Sequence, residues 1–110
     1  MVRRKRKSKS KQLLEEIELI SKNYFYALKQ IENEQTIDDI NKEPSQYQIF
    51  VSRVKYAYHT LSATDQIFIN NEFFFEDYPR WWEKSYSPSE FYRQRLKSMK
   101  NFKEALDNAY

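Results

Sequence analysis

The sequence contains no cysteine, no glycine and only one histidine, His59, among its 110 residues. The absence of cysteine excludes a disulfide scaffold, thiol catalysis and the usual structural zinc sites. The absence of glycine excludes phosphate-binding loops and dinucleotide fingerprints, because their backbone must approach a phosphate closely. Tight β-hairpin turns also favour glycine. We therefore expect an all-α fold without a metal or cofactor site.

Long apolar stretches are also missing, and no run approaches the ~20 residues that a membrane-spanning helix needs. The basic N-terminus lacks the apolar core of a secretory signal. By contrast, 8 Phe, 9 Tyr and 2 Trp supply ample apolar area for one folded domain. We expect no membrane contact and a cytoplasmic location. Frequent Lys, Asn and Ile are typical of an AT-rich bacterial genome.

The net charge of +3 is distributed unevenly along the chain. Residues 1–11 hold seven basic and no acidic side chains, residues 12–79 five basic and twelve acidic, and residues 80–103 seven basic and two acidic. A polyanion would be attracted to both basic regions. The composition predicts a disordered tail over 1–11 and a single helical domain over 12–110. The tail residues expected to meet nucleic acid are Arg3, Arg4, Lys5, Arg6 and Lys7.

Apolar residues at spacings of three and four predict three helices in the acidic part of the chain. The first covers residues 12–33, the second begins after an N-cap at Ser45 and reaches His59, and the third covers residues 64–75 behind a capping box of Ser62 and Asp65. The first stripe is regular enough to serve a partner helix, but we expect it to pack within its own domain. The carboxylates cluster at a helix start and in a linker, so we expect no enzyme.

The C-terminal part combines several helix signals. Residues 79–84 are predicted as a short helix carrying Trp81 and Trp82. Ser87 then fits an N-cap, Pro88 the first helical position and Glu90 the third, which predicts a last helix up to Asp107. Its expected buried stripe is Tyr92, Leu96, Met99, Phe102 and Leu106, and its outward stripe is Glu90, Arg93, Lys97 and Lys100. Two helices joined by a short turn, the second basic, are typical of a helix-turn-helix over residues 61–107.

Residues 61–106, and above all residues 86–93 (YSPSEFYR), resemble the C-terminal module of ArpU/RinA-like phage transcriptional regulators. That module is similar to the promoter-reading region of sigma factors. Short proteins of the mycoplasma group are similar as well. The resemblance covers less than half of the chain and implies sequence-directed DNA binding in transcription regulation by a nucleoid-associated bacterial protein.

If the last helix reads DNA, its first turns supply the base contacts and its later turns the phosphate contacts. The expected base-contacting residues are Ser89, Glu90, Arg93 and Gln94, and the expected phosphate-contacting residues are Arg80, Lys84, Ser87, Arg95, Lys97 and Lys100. Two alternatives remain: an RNA- or ribosome-associated protein that uses the tail, and a protein-interaction module that binds RNA polymerase or forms a homodimer. Trp81 and Trp82 are either interface residues or core residues.

Overall fold

The computed structural model describes residues 8–34 and 43–109. Within these ranges the chain forms four α-helices and a π-helical turn, without a β-strand: α1 (Lys9–Glu34), α2 (Gln46–Thr60), α3 (Ala63–Ile69), the π-helical turn (Asn70–Phe74) and α4 (Pro88–Asp107). The prediction of an all-α fold is confirmed. No helix in these ranges is long and apolar enough to cross a membrane.

The N-terminal boundary differs from the prediction. α1 begins at Lys9, three residues earlier than expected, and the Ser8 Oγ accepts a hydrogen bond from the Lys11 backbone N–H at 3.2 Å. Residues 9–11 therefore belong to the helix. The rest of the predicted tail, residues 1–7, and most of the polar linker, residues 35–42, lie outside the described residues.

Serine caps determine where α2 and α3 begin. The Ser45 hydroxyl accepts a hydrogen bond from the Gln48 N–H at 3.2 Å, and the Gln48 Oε1 accepts one from the Ser45 N–H at 2.9 Å. The Ser62 hydroxyl accepts a hydrogen bond from the Asp65 N–H at 3.2 Å. These bonds satisfy N–H groups that have no partner within the helix. Both predicted helix starts are confirmed.

The core lies where the four helices and the π-helical turn meet. α4 packs against α1, α2 and α3, and α1 packs against α2. The predicted apolar stripes of α1 and α2 both face this core, which confirms their periodicity. Its fully or almost fully buried members are Ile17, Val54, Ala57, Ile69, Phe73, Met99, Phe102 and Leu106.

The third helix does not run uniformly to residue 75 as predicted. It widens after Ile69 into the π-helical turn, in which the Phe75 N–H donates to the Asn70 carbonyl, five residues earlier, at 2.8 Å. The carbonyl of Phe73 accepts a hydrogen bond from the buried hydroxyl of Ser21 in α1. Because the last carbonyls of a helix lack intrahelical donors, this bond both caps the turn and joins it to α1.

A buried carboxylate joins α3 to α4. Asp65 is only 5% exposed, and its Oδ1 accepts hydrogen bonds from the Ser98 Oγ at 2.7 Å and the Gln94 Nε2 at 3.3 Å. Its Oδ2 accepts one from the Asn101 Nδ2 at 2.8 Å. The sequence predicted that this carboxylate would cap α3 together with Ser62. That half of the prediction is wrong, because the side chain turns to α4.

We expect Asp65→Ala to lower the free energy of unfolding by about 2–4 kcal/mol, because three donors of α4 lose their buried acceptor. Asp77→Ala is the matched control: Asp77 is exposed and makes no hydrogen bond within the described residues. Its expected effect is within about 0.5 kcal/mol. Urea denaturation of both variants measures the difference. Equal losses in the two variants would contradict the role given to the Asp65 carboxylate.

Candidate functional site

The segment before α4 is not the short helix predicted for residues 79–84. Residues 79–85 form consecutive turns instead, in which the Trp81 N–H donates to the Tyr78 carbonyl at 3.1 Å and the Glu83 N–H donates to the Arg80 carbonyl at 3.2 Å. The chain between the π-helical turn and α4 is therefore a loop of residues 75–87. The helical element that packs behind α4 is α3.

Five aromatic residues hold this loop against the start of α4, and we call them the aromatic cluster: Phe68, Trp81, Trp82, Tyr86 and Phe91. The rings of Trp82 and Phe91 stack with centroids 4.3 Å apart, and Phe68 meets Trp81 and Tyr86 edge to face at 4.9 and 5.2 Å. Phe68 and Phe91 are buried, whereas both tryptophans are half-buried. Both indoles thus pack inside the chain, and their assignment to an interface stays a prediction.

The start of α4 follows the predicted pattern. The Ser87 hydroxyl accepts a hydrogen bond from the Glu90 N–H at 3.3 Å, and the Glu90 Oε1 accepts one from the Ser87 N–H at 3.4 Å. Pro88 occupies the first turn of the helix. This reciprocal box separates α4 from the loop and uses the Glu90 carboxylate within the chain. Ser89 is exposed beside it.

The buried side of α4 is turned slightly from the predicted one. Phe91, at 3% exposure, takes the place predicted for Tyr92, which is 56% exposed. Phe91 fills the space between Phe68 and Trp82. The other predicted core positions of α4 hold, with Met99, Phe102 and Leu106 buried and Leu96 half-buried.

The outward side of α4 carries three basic residues, Arg93, Lys97 and Lys100, which we call the basic face. All three are exposed, and none makes an ion pair or hydrogen bond within the described residues. Their spacing of four and three residues places them on one side of the helix, over a length of about 10 Å. The acidic residues of α4 itself lie beyond the ends of this face, at Glu90, Glu104 and Asp107. Within the described residues, the three cations are therefore exposed to solvent and have no counter-ion.

Two other predicted contact residues of α4 are engaged inside the chain. The Gln94 amide donates to Asp65 and to the Ser98 Oγ, the latter at 3.1 Å. The Arg95 Nη1 lies 3.4 Å from the Glu72 Oε1, and its guanidinium lies over the Tyr92 ring at 5.1 Å. These contacts position α4, so neither side chain belongs to the basic face.

The remaining predicted residues lie in the loop or outside the described ranges. Arg80 is exposed and forms an ion pair with Glu83 at 3.4 Å. Lys84 is exposed, without a partner in the described ranges. The tail residues Arg3, Arg4, Lys5, Arg6 and Lys7 fall among residues 1–7 and lie outside the described residues.

Sequence reasoning did not identify the residues that position the basic face. We call α3 together with the π-helical turn the third helical segment. Its carboxylates Asp65 and Glu72 accept hydrogen bonds from α4, and Glu72 also accepts one from the Trp81 Nε1 at 3.0 Å. The sequence did contain a pattern that indicates a polar contact: the polar residues of α4 at positions 94, 98 and 101 share one side of the helix.

No group of three or more His, Asp or Glu side chains that could hold a metal ion occurs among the described residues. Comparison of the chain with protein-family models, with curated proteins and with solved structures gives no match.

We expect Phe91→Ala to cost about 3–5 kcal/mol in the free energy of unfolding, because it leaves a cavity between Phe68 and Trp82. Tyr92→Ala, one residue away, removes an exposed ring and is expected to cost less than about 1 kcal/mol. Thermal and urea denaturation of the two variants compare the neighbours directly. A larger loss for Tyr92→Ala would show that the helix faces the core as the sequence predicted.

Proposed function

We propose that this protein binds duplex DNA through the basic face of α4 and acts as a transcriptional regulator. The observation that carries the proposal is a set of three exposed cations on one side of a capped helix, Arg93, Lys97 and Lys100, which are unpaired within the described residues. The ion pairs among the described C-terminal residues involve other cations, namely Arg80, Arg95 and Lys103. The basic face therefore has no side-chain partner in the part of the chain that the structure describes.

The dimensions of α4 suit the major groove. This groove is about 12 Å wide and admits one α-helix, and 20 residues make a helix about 30 Å long. In a helix-turn-helix, the first turns of the recognition helix meet the base edges. Ser89 and Arg93 lie in that part of α4. Lys97 and Lys100 lie further along the helix, where we expect contacts with phosphates.

The proposed unit is a variant of the helix-turn-helix. α3 with the π-helical turn supports α4 from behind, and the loop of residues 75–87 replaces the usual short turn. The aromatic cluster and the Ser87 box give this long connection fixed contacts at the start of α4. A recognition helix needs such support, because its side chains read bases only from a defined position.

The decisive experiment measures the affinity for a DNA duplex selected from a random library and for a scrambled duplex, each at several salt concentrations. We expect Lys100→Ala to weaken binding to both duplexes by the same factor and to lower the salt slope by about 0.9. We expect Arg93→Ala to lower the preference for the selected duplex by about 1–3 kcal/mol. Lys29→Ala is the charge-matched control on the exposed side of α1.

Unchanged affinity, preference and salt slope in both α4 variants, relative to Lys29→Ala, would contradict the proposal. Circular dichroism verifies that each variant retains its helices. A duplex RNA of the same sequence is measured in parallel, and tighter binding to RNA than to DNA would favour the RNA-associated alternative.

Deletion of residues 1–7 separates the tail from the basic face without shortening α1, which begins at Lys9. We expect the truncated chain to bind all duplexes more weakly by a common factor, because these residues carry five positive charges, and to keep its sequence preference. Fluorescence anisotropy at constant salt measures both quantities. Complete loss of duplex binding would assign nucleic-acid contact to the tail alone.

A further inference from the structure

A groove of about 380 Å³ lies between α1, α2 and the π-helical turn, away from the basic face of α4. Its floor includes the buried side chain of Val54, and Leu28 lies beside it. Phe25 and Phe75 form its walls and remain 42% and 59% exposed. Exposed aromatic rings around a concave apolar surface are unfavourable in water unless the surface has an occupant.

The aromatic walls of the groove contact one another. Tyr24 and Phe74 meet edge to face at 5.4 Å, and Phe25 meets Phe75 at 6.5 Å. Phe74 also contacts Phe102 of the core at 6.2 Å. Because these rings are packed on the folded core, the groove exists before any ligand arrives, as is usual for small-molecule sites.

Among the described residues that line the groove, Lys55 carries the one formal charge. Lys55 and His59, one turn apart on α2, lie on its rim, and none of the described lining residues is acidic. Lys55 is exposed and makes no ion pair within the described residues. Burial raises the pKa of Tyr24 above its usual value of 10.0, so its phenol stays protonated and neutral. An apolar floor under a cationic rim complements a molecule with an apolar body and an anionic end.

The size of the groove selects a small molecule over a helix. Ligand sites for small molecules span about 300–1,000 Å³, and 380 Å³ falls in the lower part of that range. Two turns of a helix about 10 Å wide would fill roughly twice the volume.

We propose that this groove binds a small amphipathic anion, an acyl or aryl chain that ends in a carboxylate. The chain packs against Phe74 and Phe75, and the carboxylate meets the ammonium group of Lys55. This site is distinct from the basic face of α4, because the two surfaces share no residue.

The test compares octanoate with 1-octanol, which has the same chain without the charge, in NMR titrations of the intact 110-residue chain. We expect saturable shifts at the groove residues with both probes, a Kd for octanoate at or below about 1 mM, and weaker binding of octanol. We expect Lys55→Gln to raise the Kd for octanoate about threefold to fivefold without affecting octanol. Phe75→Ser is expected to weaken both probes, because it removes an apolar wall.

Lys22→Gln serves as the charge-matched control, because Lys22 is exposed on α1 and does not line the groove. Equal effects of Lys22→Gln and Lys55→Gln on octanoate would overturn the proposal, as would the absence of saturable shifts in the groove. NOEs from the methyl groups of Ile37 or Ile40 to Phe75 in the free protein would show that the chain fills the groove itself. Concentration-dependent shifts confined to the groove would assign it to a second copy. Either finding also overturns the proposal.

Discussion

The buried carboxylate of Asp65 is a main determinant of the orientation of α4. Asp65 lies at the start of α3, where a negative charge is stabilised by the helix dipole, and it accepts three hydrogen bonds from α4. A buried charge without donors would cost several kcal/mol, so α4 has to present its donors to it. The donors at positions 94, 98 and 101 each follow a residue of the basic face by one position, which is about 100° of helix rotation. The hydrogen bonds that satisfy Asp65 therefore also turn Arg93, Lys97 and Lys100 outward.

Much of the fold was predictable from local signals. Ser45, Ser62 and Ser87 mark three helix starts because a capping bond involves residues three apart, and such spacing is visible in the sequence. The differences have tertiary causes. Phe91 and Tyr92 are adjacent aromatics. Phe91 is the buried one because its ring packs between Phe68 and Trp82, which lie elsewhere in the sequence. Residues 79–84 fit a helix by their own preferences, yet the two tryptophans pack around Phe91 from a series of turns.

The sequence correctly predicted the exposed side chains of the candidate site. It did not predict which polar side chains of α4 bind a partner inside the protein. Arg93, Lys97 and Lys100 have no partner in the described part of the chain, so the amphipathic pattern was sufficient to identify them. Gln94 and Arg95 fit the same pattern, but Asp65 and Glu72, which lie 29 and 23 residues away, engage them. A helical wheel assigns a side chain to a face and contains no information on distant acceptors. Sequence reasoning therefore fails for polar residues at the edge of the outward side of α4, such as Gln94 and Arg95, because it assigns them to the exposed surface.

The third helical segment lies between both proposed surfaces. Asp65 and Glu72 attach it to α4, and the Ser21 hydroxyl attaches the π-helical turn to α1 through the Phe73 carbonyl. Asn70 and Phe74 of the same segment line the groove. Coupling between two sites requires an element with two arrangements that the ligands favour differently. The hydrogen bonds on both sides of this segment satisfy its buried polar groups in the arrangement seen here and so oppose a second one. The groove and the basic face are therefore expected to bind their ligands independently, although only one short segment separates them.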